Sequence, residues 1–193
     1  MLFGGSYGIG ASVADLAGDA GADVFEFSRS TTGTDVCHAD AVRRALDDVV
    51  AATGRVDILL VTAGVLRVAP LVDAPAEDLP HTIETNLLAP VMIAREAYPH
   101  LAATAGQVIL FTSSSYTRGR AAYGVYSATE AGVVNLTQAL SEEWADHGVR
   151  INCINPQRTR TPMRTAAFGD SRWTRSWILR TSPVSRSTWR HPI

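Results

Sequence analysis

The chain has no lysine: its 17 basic residues are all arginine, so no ammonium side chain is on hand for any site in it. Cysteine is nearly as scarce. Cys37 and Cys153 stand alone without metal-ligand spacing, which reads as two small buried residues rather than a disulfide or a zinc site. A surplus of one charge sign is also absent, the net charge being −2, and this leaves no electrostatic case for nucleic acid or an anionic membrane as a partner. No apolar run reaches membrane-spanning length and Met1 to Gly4 does not read as a signal peptide, so the expected location is the cytoplasm. What is present is an ordinary soluble composition, 46% hydrophobic and 19% charged over 193 residues, enough for a sizeable core and one domain.

The stretch from Ser113 to Glu130 organises the rest. Val108-Ile109-Leu110-Phe111-Thr112 has the length and β-branched content of a buried strand, which puts Ser113 where a parallel strand hands over to its loop. From Tyr126 the residues Glu130, Val133, Val134, Thr137 and Leu140 follow in three- and four-residue steps. That spacing predicts a helix with Tyr126 and Glu130 one turn apart on the same face. A hydroxyl, a phenol and a charge then fall within reach of one another. A surface serine and a helix-capping tyrosine are the bland alternative.

At the start of the chain, Gly4-Gly5-Ser6-Tyr7-Gly8-Ile9-Gly10 precedes a helical pattern from Ala11 to Ala20, and the strand-like Val24-Phe25-Glu26-Phe27 follows. Glycines in such a turn let the backbone approach a pyrophosphate, whose charge is favoured by the amides and dipole of the helix N-terminus. Only Met1 to Phe3 precede Gly4, so a clipped first strand is expected. After the second strand comes Ser28-Arg29-Ser30. An arginine there suits the 2′-phosphate of NADP, where an acid would suit the free ribose hydroxyl of NAD. Arg29 therefore favours NADP over NAD, with an exposed loop arginine as the alternative. Ala39 to Thr53 reads as an amphipathic helix ended by Gly54, and Ile58 to Val61 as a buried strand running into Thr62-Ala63-Gly64.

Taken together, these motifs resemble the short-chain dehydrogenase/reductase family over residues 2 to 168. The resemblance implies a Rossmann-type α/β doubly wound parallel sheet of about six strands with the family's last strand missing. It implies that Gly4, Ser6, Gly8, Ile9 and Gly10 form the dinucleotide turn, that Ala63 and Gly64 lie under the cofactor, and that Thr161 approaches the nicotinamide. Asp35 matches an adenine-contacting aspartate, and reads equally as a turn residue. Ser113 would hydrogen-bond the substrate oxygen and Tyr126 would be the general acid/base. The chain departs from the family pattern at Glu130, which occupies the place of the catalytic lysine, at Val61 and Thr62, which replace two asparagines, and at Gln157, which replaces the glycine after Pro156. Asn86 either holds a relay water or bonds backbone in a helix kink. The helices read at 87 to 101 and 126 to 144 would pair across a two-fold axis in a homodimer or homotetramer.

Three strings are narrower in wording: Ser-Ser-Ser-Tyr-Thr-Arg-Gly-Arg at 113 to 120, Asn-Leu-Thr-Gln-Ala-Leu at 135 to 140 and Asn-Pro-Gln-Arg-Thr-Arg-Thr-Pro-Met-Arg at 155 to 164. They resemble the reductase domains associated with ribitol-phosphate cytidylyltransferases, which reduce a ketopentose phosphate with NADPH. Arg118, Arg120, Arg158, Arg160 and Arg164 then suit an anionic substrate, or lie on solvated loops. Residues 169 to 193 hold three of the four tryptophans and no clean period, and read as an atypical, poorly ordered tail with a disrupted frame rather than as a lid. The expected function is NADP-dependent hydride transfer between nicotinamide and the carbonyl or alcohol of a small phosphorylated ketose or polyol. A dinucleotide-binding pseudoenzyme or truncated homologue, favoured by Glu130 and the tail, is the alternative. A serine hydrolase built on Ser113 is excluded, because no Gly-x-Ser-x-Gly elbow surrounds it.

Overall fold

The computed structural model describes residues 1–169, so the structure of the tail read from the sequence lies outside the described residues. Five parallel strands form one sheet: β1 (Leu2–Phe3), β2 (Glu26–Phe27), β3 (Ile58–Val61), β4 (Gln107–Phe111) and β5 (Arg150–Ile154), in the order β2-β1-β3-β4-β5. The chain runs from β1 to one edge and then crosses to β3 on the other side, which makes the crevice above β1 and β3 the topological switch point. About six strands were expected; five are present among the described residues.

Short strands set short partners. Val24 to Phe27 reads as one strand, yet only Glu26 and Phe27 pair, because β1 offers just Leu2 and Phe3 as partners. On its other side β1 pairs with Leu60 and Val61, and all four residues of β3 pair with β4. Both residues of β1 are buried, and Leu59, Val61, Val108, Leu110 and Ile151 continue that core through the sheet.

Helices α1 (Gly8–Asp19), α2 (Ala39–Thr53), α3 (Asp78–Ile83), α4 (Ala89–Thr104), α5 (Gly124–Glu143) and α6 (Pro162–Phe168) connect these strands. Both α1 and α5 begin earlier than their apolar periods suggest, at Gly8 and Gly124, since first-turn residues need no apolar face. For α2 the expectation holds at both ends: Val42, Leu46 and Val49 are buried, Val50 is half-buried, and Gly54 closes the helix at φ 75° with its amide donating to the Val50 carbonyl at 2.7 Å. The helix read at 87 to 101 is α4, preceded by a π-helical turn at Glu84–Leu88. Both cysteines are free and half-buried. No helix among the described residues is long and apolar enough to cross a membrane.

Candidate active site

The carboxyl ends of the strands open into one cleft of about 660 Å³. It draws residues from all five strand exits, and every site residue read from the sequence lies on its wall. Gly4, Ser6, Gly8, Ile9 and Gly10 come from the first turn, Arg29 and Asp35 from the β2 exit, and Ala63, Gly64 and Asn86 from the β3 side. Ser113, Tyr126, Glu130 and Thr161 complete it.

The glycine turn is closely packed. Gly4 has φ 95°, and a Cβ on it would run into the Ala63 backbone, so no other residue fits there without strain. A Cβ on Gly10 would strike the Gly4 carbonyl and come within 2.6 Å of Thr62 Oγ1. Thr62, where the family pattern has an asparagine, donates to the carbonyls of Phe3 and Gly4 at 3.1 and 3.0 Å, tying the turn to the end of β3. Tyr7, the N-cap of α1, gives no side-chain cap. The first-turn amides of a twelve-residue helix are thus left without a capping side chain beside the cleft, an arrangement that suits a phosphate group.

At the β2 exit, Ser28 is buried and its hydroxyl pairs with those of Ser30 and Thr31, while Arg29 projects into solvent at the rim. Asp35 accepts from the Cys37 amide at 2.9 Å. Burial works to raise its carboxyl, and the Cys37 amide together with the charge of Arg29 overcomes this and holds it below the usual carboxylate range. The turn reading of Asp35 is therefore met, and it sits on the cleft wall as well.

Asn86 is buried in the π-helical turn, and both ends of its amide bond one residue. Its Oδ1 accepts from the Val65 amide and its Nδ2 donates to the Val65 carbonyl, each at 2.8 Å. The π-turn widens the helix so that this side chain reaches back to the β3 exit, and of the two expectations the backbone-bonding one describes these contacts.

Ser113 caps the short 3₁₀ turn Ser114–Tyr116, its Oγ accepting from the Ser115 amide at 3.0 Å. That leaves its proton to donate toward the cleft, where Ser113 acts on the Tyr126 phenol. Tyr126 is pushed well above the ordinary phenol range, by burial first and by the nearby Glu130 charge second, with Ser113 working against both. Glu130, one turn along α5, is 7% exposed and its Oε2 has no hydrogen-bond partner among the described residues. Burial pushes its carboxyl up to about 7, against the pull of the Thr112 and Tyr126 hydroxyls and the Ser113 amide. Thr112 also donates to the Glu130 backbone carbonyl at 3.1 Å, fixing this turn of α5 against the end of β4.

Some contributors were not legible beforehand. Tyr123 lies edge-on to Tyr126, with ring centroids 6.2 Å apart, and edge-on to Phe168 at 5.9 Å. Its three-residue spacing from Tyr126 was the available signal. Of the five arginines read as converging, Arg120, Arg158 and Arg164 line the cleft, whereas Arg118 and Arg160 do not. The Arg164 guanidinium lies over the Phe168 ring, 5.0 Å from its centroid.

Residues 27–171 match the short chain dehydrogenase family. The chain is 44% identical over 169 residues to the bifunctional ribulose 5-phosphate reductase/CDP-ribitol pyrophosphorylase Bcs1 of Haemophilus influenzae, covering 88% of this chain and 35% of that protein. It is 31% identical to the L-fucose dehydrogenase of Oryctolagus cuniculus, covering 84% of this chain and 63% of that one. The chain thus spans about a third of the first relative and under two thirds of the second. Among solved structures, a short chain dehydrogenase from Burkholderia cenocepacia in complex with NADP superposes with a TM-score of 0.79 at 30% identity, covering 84% of this chain and 75% of that one. With a parallel sheet, a glycine turn at its switch point and a serine and tyrosine facing each other across the cleft, the chain belongs to the short chain dehydrogenase family.

Proposed function

We propose that this chain reduces the carbonyl of a small phosphorylated ketose with NADPH, Tyr126 giving the proton. The observation that carries this reading is that Ser113 and Tyr126 line the same cleft as the glycine turn, with Ser113 acting on the Tyr126 phenol. When bound, NADPH supplies the hydride. The residues present fit a dinucleotide: closely packed glycines and uncapped α1 amides suit its pyrophosphate, and Arg29 at the rim suits a 2′-phosphate. Asp35, Ala63, Gly64 and Thr161 line its remaining path.

The chain's own chemistry follows from the two hydroxyls. Ser113, held by the Ser115 amide, donates to the substrate oxygen and fixes the carbonyl beside the phenol. Tyr126 then donates its proton to the same oxygen as negative charge develops there. A phenol held above its ordinary range keeps that proton at neutral pH, so the site suits reduction better than oxidation, which needs the phenolate as base. Asn86 acts through its clamp on Val65, holding the β3 exit in place. Arg120 and Arg158 on the cleft wall suit the substrate phosphate, and the relative named as a ribulose 5-phosphate reductase supports that substrate class. Exposed Ile83, Leu88 and Val91, on α3, the π-turn and α4, support self-association into a dimer or tetramer.

A second reading, a dinucleotide-binding pseudoenzyme, is favoured by one observation: the buried, unpartnered carboxyl of Glu130 where relatives of this pattern place a lysine. One experiment separates the two. NADPH oxidation is followed against a panel of ketopentose phosphates, their unphosphorylated ketoses and simple ketones. Turnover that favours a phosphorylated ketose supports the reductase, and NADPH binding without turnover on any of them supports the pseudoenzyme.

A further inference from the structure

The Glu130 carboxyl lines the catalytic cleft beside Tyr126 and takes no part in the reaction just described. It sits one helical turn beyond Tyr126, 7% exposed, with Oε2 wholly buried and unpartnered among the described residues. A buried carboxylate normally keeps its charge by facing a cation. Among the described residues this one does not: the chain has no lysine, and none of the cleft arginines Arg29, Arg120, Arg158 and Arg164 is among the groups that move it.

Its surroundings from each packed element are polar but uncharged toward it. The end of β4 gives the Thr112 hydroxyl and the Ser113 amide, and its own helix gives the Tyr126 hydroxyl. The other elements packed on α5 are the 3₁₀ turns Ser114–Tyr116 and Ala145–His147, α3, the π-turn and β5, and on the two turns Tyr116, Asp146 and His147 are exposed. On α3, Asp78 pairs with Arg67 at 3.1 Å. On the π-turn, Glu84 is exposed and acts on Cys37, and on β5, Arg150 is exposed. None of these shifts Glu130.

We propose, resting on the dinucleotide reading of the cleft, that Glu130 serves the cofactor as a neutral carboxylic acid, so that dinucleotide binding draws a proton from solvent onto its carboxyl. The buried position and the lack of a facing cation among the described residues carry the argument. Burial, against the pull of the Thr112 and Tyr126 hydroxyls and the Ser113 amide, places the carboxyl at about 7 in the free protein, so near neutral pH a modest change of surroundings decides its state. A dinucleotide changes them in one direction twice over. It displaces water from the cleft, which deepens the desolvation of a charged Oε2, and it brings anionic phosphates, which disfavour a second negative charge. A ribose hydroxyl donating to the carboxylate opposes this, but a single hydrogen bond is worth less than the loss of an ion's hydration with no counter-charge. As a neutral acid the group presents one donor and one acceptor, which matches a hydroxyl that both accepts and donates. The family pattern that the sequence resembles has a lysine here, whose ammonium can only donate, and the neutral acid restores one donor at that position. The charge of that lysine is not replaced.

The test is proton counting. NADPH is titrated into the native protein by calorimetry in two buffers of different ionisation enthalpy, from about pH 6 to about pH 8, and the same titrations on Glu130→Gln remove protons that belong to the dinucleotide itself. The proposal predicts that uptake by the native protein grows with pH toward on the order of one proton per dinucleotide, and that affinity falls by up to about tenfold per pH unit above 7 relative to the variant. Glu130→Gln, isosteric and always neutral, should bind with a flatter profile. Equal proton counts in the two proteins, or net release by the native one, overturn the proposal while leaving the dinucleotide reading intact. Absence of NADPH binding by the native protein at every pH overturns both. If the glutamine variant does not fold, the rise or absence of uptake with pH in the native protein still decides.

Discussion

Glu130 should make the free protein less stable as pH rises through neutrality, and glutamine should remove that loss. The carboxyl stands at 4.5 in its ordinary state and at about 7 in the fold. The folded state therefore holds a proton that the unfolded chain has already released, and stability falls between those two values, with the full loss present above the higher one. The difference, 7 − 4.5 = 2.5, corresponds to about 3.5 kcal/mol at about 1.4 kcal/mol per pH unit. No solvent discount is needed for a side chain 7% exposed. Below the lower value both states are protonated and the group contributes nothing to pH dependence. Urea unfolding of the native protein and of Glu130→Gln across this range is the assay. The variant should gain on the native protein as pH rises, the gap widening by about 3.5 kcal/mol, or roughly 7 to 14 °C in Tm for a domain of this size. A gap that stays constant with pH would mean that Glu130 is solvated or paired in solution, and would remove the physical basis for treating it as a neutral acid.

Three further outcomes follow from the same site. Glu130→Lys places a cation beside Tyr126, worth on the order of 2 pKa units for a unit charge about 5 Å away at an effective dielectric of about 20; alcohol oxidation should rise more than ketone reduction, and equal changes in the two steady-state rates would contradict the coupling. Arg29→Ala should cost NADPH roughly 1.5 to 3 kcal/mol of binding and leave NADH nearly unchanged, as one charge-assisted contact requires; calorimetry with equal affinities in the native protein would refute that pairing. Gln157 holds φ 54°, a left-handed conformation that costs a side-chain-bearing residue about 1 kcal/mol, so Gln157→Gly should be stabilising by up to about that much in chemical denaturation, and a loss of stability would show that the Asn155 side chain, which accepts from the Gln157 amide at 3.0 Å, depends on the glutamine.

The site was legible where local spacing determines geometry. Tyr126 and Glu130 are four residues apart on a helix, and α5 places them together as that period requires. Gly54 ends α2 where a left-handed residue was expected. The glycine turn was legible for the same reason, since its constraint is set by backbone within a few residues. What the sequence did not disclose depends on partners far along the chain. The length of β2 is limited by its two-residue neighbour β1. The Asn86 clamp reaches 21 residues back to Val65, and the Thr62 bonds to Phe3 and Gly4 cross 59 and 58 residues. Likewise Tyr123 joins the site through Phe168 as much as through Tyr126. The charge state of Glu130 was the least legible feature. Sequence placed an acid beside a phenol, but only the packed helix reveals that its Oε2 is sealed from both water and counter-charge.

The central claim is that Tyr126 gives the proton in an NADPH-dependent reduction, and its most direct measurement is the turnover of one ketopentose phosphate by the native protein and by Tyr126→Phe, with NADPH affinity measured in parallel. The account predicts that the variant loses about 10²- to 10⁴-fold in kcat, the range expected for removing a positioned general acid, while its NADPH affinity stays within a few-fold of the native value. Turnover by Tyr126→Phe at the native rate would contradict the claim and leave the cleft a dinucleotide site without the proton chemistry assigned to it.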